Sequence, residues 1–201
     1  MKILLTGGSG LLASYLKLEA DRPSHKELDL LKPIVAKDYD LIVHAAAYTN
    51  VEKAETDRKQ CFKVNVYGTL NLLEAYSTVP FVFISSEYAK NPVNFYSLTK
   101  SLAEQLVTMH QAPYLIIRTL FKPTPWPFDK AFQDQWTLGS YVNKIAPLID
   151  KAIMEWDKKS KLIYIGYGGR KTMLELAKET KPDVIPNSIK EMKVKIPSDY
   201  V

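Results

Sequence analysis

The stretch Ile3-Leu4-Leu5-Thr6-Gly7-Gly8-Ser9-Gly10-Leu11-Leu12-Ala13 decides the fold. Its opening residues are apolar or β-branched in succession, the pattern of a short strand buried on both faces. The glycines then punctuate the chain, and their spacing is Gly7-x-x-Gly10-x-x-Ala13. Glycine lets a backbone approach a pyrophosphate, and a helix starting there favours the negative charge. The small Ala13 permits close packing of helix on strand. An ordinary tight turn would use the same residues, so position matters. This turn follows the first strand and precedes a segment that reads as helix through about Leu18.

Strand-like and helix-like segments alternate from there. Leu41 to Ala46 reads as a strand, and Thr56 to Tyr76 as a helix with Phe62, Val66, Leu70 and Leu73 on one stripe. Phe81 to Ile84 is apolar in succession and ends at Ser85-Ser86. Asn94 to about Met109 reads as a helix and Tyr114 to Arg118 as a strand. Alternation of this kind implies βαβ units: an α/β, Rossmann-type, doubly wound parallel sheet. Ligands of such sheets sit beyond the carboxyl ends of the strands. Ser9, Ala46, Ser86 and Thr119 all fall at such ends, so they should converge on one cleft.

After Thr119 the texture changes. Pro123, Pro125 and Pro127 surround Trp126 in an irregular loop. Tyr141 to Trp156 reads as a helix in which Pro147 marks a kink or a late start. A strand is expected at Leu162 to Gly166 and a helix at Thr172 to Thr180. The reading is one domain over residues 1–201, with 120–201 contributing a small, reduced C-terminal substrate lobe.

Bulk properties exclude several classes. The 201 residues are 46% hydrophobic, enough for one α/β domain with a real core. No apolar run is long enough to span a bilayer, and the stretch after Lys2 is too short for a signal peptide. Cys61 is the sole cysteine, so no internal disulfide can form. Cytoplasmic residence and no membrane partner follow as expectations. The net charge of +5 is spread along the chain, which suits an anionic small ligand better than nucleic acid. His25, His44 and His110 show no metal spacing, so no metal is expected. His44 ends an apolar strand and reads as structural; Cys61 reads as inert packing.

Tyr96 and Lys100 carry the chemistry. Four residues apart on a helix, they share a face. Leu98, Leu102 and Leu106 read as that helix's core stripe. Tyr96 is two residues from Leu98, about 200° of rotation, so it and Lys100 should point to a cleft. An ammonium beside a phenol stabilises phenolate and should lower the tyrosine pKa from its usual ~10. Such a tyrosine can give a proton to a ketone oxygen. Ser85 or Ser86, at a strand end, could polarise the same carbonyl.

These residues resemble an extended short-chain dehydrogenase/reductase of the dTDP-4-dehydrorhamnose reductase branch. The likeness rests on the glycine turn, on Ala45-Ala46-Ala47-Tyr48-Thr49-Asn50-Val51-Glu52-Lys53-Ala54-Glu55, on Val64-Asn65 with Gly68, and on Ile84-Ser85-Ser86-Glu87-Tyr88 with Tyr96 and Lys100. Arg118-Thr119 and Asp134-Gln135 echo it more weakly. The resemblance implies NAD(P)H-dependent reduction of a keto-deoxy-sugar nucleotide, as in dTDP-rhamnose biosynthesis. It assigns Ser86, Tyr96 and Lys100 as catalytic. It gives Gly7, Gly10, Leu11, Ala45, Ala46, Ala47 and Lys100 to the cofactor, with Lys100 on the nicotinamide ribose. The partner implied is a nucleotide-sugar substrate, and a homodimer is left open. The residue that selects between cofactors belongs near the end of a second strand; Asp21, Arg22, Ser24, His25 and Lys26 are the stretch that offers it, and its basic members lean the cofactor towards NADP over NAD. The loops after Ser86 and Thr119 are shorter than in that branch. A nucleotide-sugar epimerase or dehydratase, or a non-catalytic nucleotide-binding subunit, remain the alternatives.

Overall fold

Short, uninterrupted apolar strands build the centre of the molecule. Every residue of β1 (Ile3–Thr6), β2 (Leu41–His44) and β3 (Phe81–Ile84) is buried. With β4 (Tyr114–Thr119) and β5 (Lys161–Ile165) they form a parallel sheet in the order β1-β2-β3-β4-β5. Asp21 adds a single parallel bridge to Leu4 on the outer side of β1. The chain therefore steps outward from β1 and then crosses back to β2. This reversal is the switch point at which doubly wound sheets bind ligands. The computed structural model that shows this describes residues 1–199.

Six α-helices accompany the sheet among the described residues: α1 (Val51–Thr56), α2 (Arg58–Phe62), α3 (Gly68–Ala75), α4 (Phe95–Thr108), α5 (Val142–Met154) and α6 (Met173–Lys178). One sheet face packs on α5 through Val142, Ile145, Ile149 and Ile153. The other packs on α3 and α4 through Leu72, Leu73, Ala103 and Val107. Pro147 lies inside α5 on its exposed side, and the helix does not start late. A third core joins Tyr88 and Tyr96 to Trp126, Tyr141, Met173 and Leu176. There, short strands pair distant segments: Lys130–Phe132 with Ile185–Asn187, and Trp136–Thr137 with Lys171–Thr172. No helix among the described residues is long and apolar enough to cross a membrane.

Three expectations about helices are corrected. The segment after the glycine turn is not a helix to Leu18 but a run of turns over residues 11–15. Long-range partners stop it. The Lys17 N–H donates to the Asp150 carboxylate, and the Arg22 guanidinium takes the carbonyls of Ala13, Leu16 and Leu18. The helix expected over 56–76 is divided at Asp57 and by a π-helical turn at Lys63–Tyr67.

The third correction concerns α4. Its buried face carries Tyr96, Thr99, Lys100, Ala103 and Val107, whereas Leu98 is 41% exposed. Leu102 and Leu106 are only half-buried. The polar residues face inward because partners await them: Asn65 for Thr99, the Ile84 carbonyl for Lys100, and Ser85 and Arg118 for Glu104.

Candidate active site

At the carboxyl end of the sheet lies a cavity of ≈ 630 Å³. Gly7, Gly10 and Leu11 line it from the turn after β1, and Ala45, Ala46 and Ala47 from the end of β2. Ile84 closes it from β3, and Phe121, Lys122 and Phe128 from the chain after β4. Gly7 has φ +74°, and a Cβ there would meet the Ala46 backbone at 2.7 Å. Its missing side chain lets the ends of β1 and β2 touch, so glycine is required for packing as well as for conformation. Gly10 donates its N–H to the Gly7 carbonyl at 2.8 Å. The N–H groups of Leu11, Leu12 and Ala13 find no acceptor among the described residues. Unpaired backbone donors beside a glycine turn are what a pyrophosphate satisfies, so the residues present fit a dinucleotide.

Ser9 and Ala46 line this cavity, as the strand-end reading expects, but Ser86 and Thr119 do not. The Thr119 hydroxyl is spent on the Ile165 carbonyl at 2.8 Å, inside the sheet. Arg22 is likewise spent on carbonyls, and His25 is the basic residue of the Asp21–Lys26 segment that lines the cavity.

The structure brings Ser86 and Tyr96 together just beyond Ile84. Ser86 caps the short turn Glu87–Ala89 by accepting from the Tyr88 N–H. Its hydroxyl also lies near enough to the Tyr96 phenol to lower its pKa. Asn94, the helix cap, sets the start of α4 and with it the rotation of Tyr96. Ser85, the neighbouring candidate, is committed to Glu104 at 2.5 Å. Lys100 lies one turn beyond Tyr96, and its Nζ donates to the Ile84 carbonyl at 2.9 Å, 4.1 Å from the centre of the Phe83 ring.

Two electrostatic expectations fail. Tyr96 is 9% exposed and faces the core, not an open cleft. Burial pushes its phenol up to about 12, although the nearby Ser86 hydroxyl pulls it back. Lys100 does not lower it. Instead burial brings the ammonium itself down to about 7, opposed by Glu104. The tyrosine therefore holds its proton at neutral pH.

The matching family model is that of the RmlD substrate binding domain, over residues 1–133. The chain belongs to that family. It is 28% identical over 147 residues to a dTDP-4-dehydrorhamnose reductase of Mycolicibacterium smegmatis, covering 59% of this chain and 45% of that protein. A dTDP-4-dehydrorhamnose reductase of Sinorhizobium fredii is 30% identical, over 59% of this chain and 50% of that protein. The chain thus spans about half the length of the curated relatives it matches. Among solved structures, the Bacillus anthracis dTDP-4-dehydrorhamnose reductase in complex with NADP superposes with TM-score 0.83 at 23% identity. That match covers 99% of this chain and 89% of the other and shows a shared fold.

In this member of the RmlD family, two residues without a role in the sequence reading hold the site in place. The Asn65 side chain accepts from the Tyr48 N–H at 2.7 Å and donates to the Thr99 hydroxyl at 2.9 Å. It ties the alanine wall of the cavity to α4. His44, read as structural, lies buried between the hydroxyls of Thr6 (2.7 Å) and Thr69 (3.0 Å), and burial pushes it down to about 3. Cys61 is buried and its thiol is pushed up by burial, consistent with inert packing.

Glu87 is the second. It accepts from the Thr137 hydroxyl at 2.7 Å and so pins the end of β3 to the C-terminal segment. Burial raises its carboxyl to about 7, with the Thr137 bond and the N–H groups of Leu138 and Gly139 opposing. A raised folded-state pKa adds stability that is complete below the unfolded value of ~4.3 and lost as pH rises through 7. Glu87→Gln should remove this slope. Urea unfolding at pH 5 and pH 8 should show wild type losing on the order of 2–3 kcal/mol relative to the variant over that interval. Parallel stability curves would contradict it. The difference between proteins is needed because His44 drives wild-type stability the opposite way below pH 6.5.

Proposed function

We propose that this protein is an NAD(P)H-dependent reductase of a keto-deoxy-sugar nucleotide, like the dTDP-4-dehydrorhamnose reductases it matches. The observation that carries the reading is the glycine-turn cavity, which ends at Ile84 next to the neighbouring Ser86 and Tyr96. Gly7, Gly10, Leu11 and Ala45–Ala47 would hold the cofactor, which supplies the hydride when bound. Ser86 would orient the ketone oxygen. Tyr96, protonated at neutral pH, would deliver its proton to that oxygen as the carbonyl π bond breaks. Lys100 would position the nicotinamide ribose from its place on the Ile84 carbonyl. The Tyr88 ring stands edge-on to Tyr96, 6.2 Å between centroids, and packs with it in the third core. The substrate-binding lobe would come from the residues after Thr119, minus α5 and β5, which belong to the sheet layers.

The test is spectroscopic. Protein mixed with NADPH, or NADH, and a panel of 4-keto-6-deoxy nucleotide sugars should consume nicotinamide absorbance with at least one sugar. Tight cofactor binding with no absorbance change across the panel would overturn the reductase reading.

A further inference from the structure

Lys122 is a cation with no counter-ion among the described residues. Its backbone is fixed by parallel pairing of Phe121–Lys122 with Ser140–Tyr141. Its side chain lines the same cavity as the glycine turn. The Nζ lies 5.5 Å from the centre of the Phe128 ring and 6.0 Å from that of Trp126. Among the described residues it makes no hydrogen bond or ion pair. Other half-buried lysines do better: Lys171 meets Glu179 at 2.7 Å and Lys181 meets Asp129 at 2.9 Å. Asp29, the one carboxylate lining the cavity among the described residues, is engaged by Lys32 and the Leu31 N–H. Desolvation of the ammonium lowers its pKa with nothing opposing. The half-buried ammonium keeps some contact with solvent, and aromatic faces return only part of the hydration it gives up. A fold that holds an ammonium this way leaves it short of an anion.

We infer that Lys122 is a phosphate anchor: its ammonium takes a phosphoryl oxygen of the nucleotide ligand in this cavity. This rests on the proposed function only in that the cavity takes a nucleotide. Two sources share the chemistry, the dinucleotide and the nucleotide sugar. A phosphate would replace the weak ring contacts with a charge-assisted hydrogen bond. Phe128, 51% exposed and lining the same cavity, would shield that bond from water.

The substitution Lys122→Met keeps the apolar stem and removes the charge; Lys122→Arg restores it. Dissociation constants for NADPH and for dTDP should be measured at low and high salt on wild type and both variants. One of the two ligands should bind the methionine variant about 10- to 100-fold more weakly, with a flatter salt dependence, and the arginine variant should recover most of that loss. Loss confined to NADPH identifies the dinucleotide phosphates, and loss confined to dTDP identifies the sugar nucleotide. A readout on unsubstituted protein guards against misfolding of the variants. In ¹³C-methylated wild type the Lys122 dimethylamine should titrate at higher pH once the ligand is bound. Unchanged affinities within twofold for both ligands, or an unmoved Lys122 resonance, would overturn the anchor while leaving the reductase reading intact. A wild type that binds neither ligand would overturn both.

Discussion

Replacing Tyr96 by phenylalanine should lower kcat for keto-sugar reduction by 10²- to 10⁴-fold, the usual worth of a positioned general acid. NADPH affinity should stay within about twofold, because Tyr96 does not line the dinucleotide cavity. Stability should change by no more than about 1 kcal/mol, a small effect beside the catalytic one. The phenol is held protonated up to about 12. The reduction rate should therefore show no tyrosine ionisation between pH 6 and 9. Steady-state kinetics and a fluorescence titration separate these quantities. Normal turnover by the phenylalanine variant would remove Tyr96 from the chemistry.

Gly7→Ala should do the most structural damage. The residue sits at φ +74°, and its new methyl would overlap the Ala46 backbone at 2.7 Å. Left-handed backbone costs an alanine about 1–2 kcal/mol before any clash. The clash is with the Ala45–Ala46 backbone just past the buried end of β2, which ties it in place. A total loss of about 3–5 kcal/mol is expected, with nucleotide binding abolished in whatever remains folded. Gly10→Ala is the control: its methyl would meet only the Gly7 carbonyl, at 3.1 Å, with no positive φ. It should cost less than about 1 kcal/mol in urea unfolding. Equal losses at the two glycines would mean that the β1–β2 contact does not set the requirement.

The central strands were legible because each is a continuous apolar run, and burial on both faces leaves that signature without help from distant residues. The glycine turn was legible for the same local reason, and Gly7, Gly10, Leu11 and Ala45–Ala47 do line one cavity. What stayed hidden depends on partners far along the chain. The turns over residues 11–15 end because Asp150 and Arg22 capture the groups that would have continued a helix. The face of α4 was misread because periodicity counts apolar residues and cannot see that Ile84, Asn65 and Arg118 satisfy buried polar ones. The pairing of Lys130–Phe132 with Ile185–Asn187 joins segments with no local signal for each other. At the site, the resemblance put Ser86, Tyr96 and Lys100 in one neighbourhood, but their protonation followed from burial, which sequence spacing does not encode. Lys122 gave no such signal: it lies three residues past β4, at the start of the proline-rich loop.

The central claim is that this site adds hydride to a sugar ketone with a proton from Tyr96. The most direct measurement is a single turnover with 4-deuterated NADPH and the keto-sugar nucleotide that gives turnover, followed by mass spectrometry of the sugar. One deuterium should appear on the former carbonyl carbon, with one equivalent of oxidised cofactor released. A sugar that rearranges or loses water without deuterium, while the cofactor stays bound and unchanged, would contradict it.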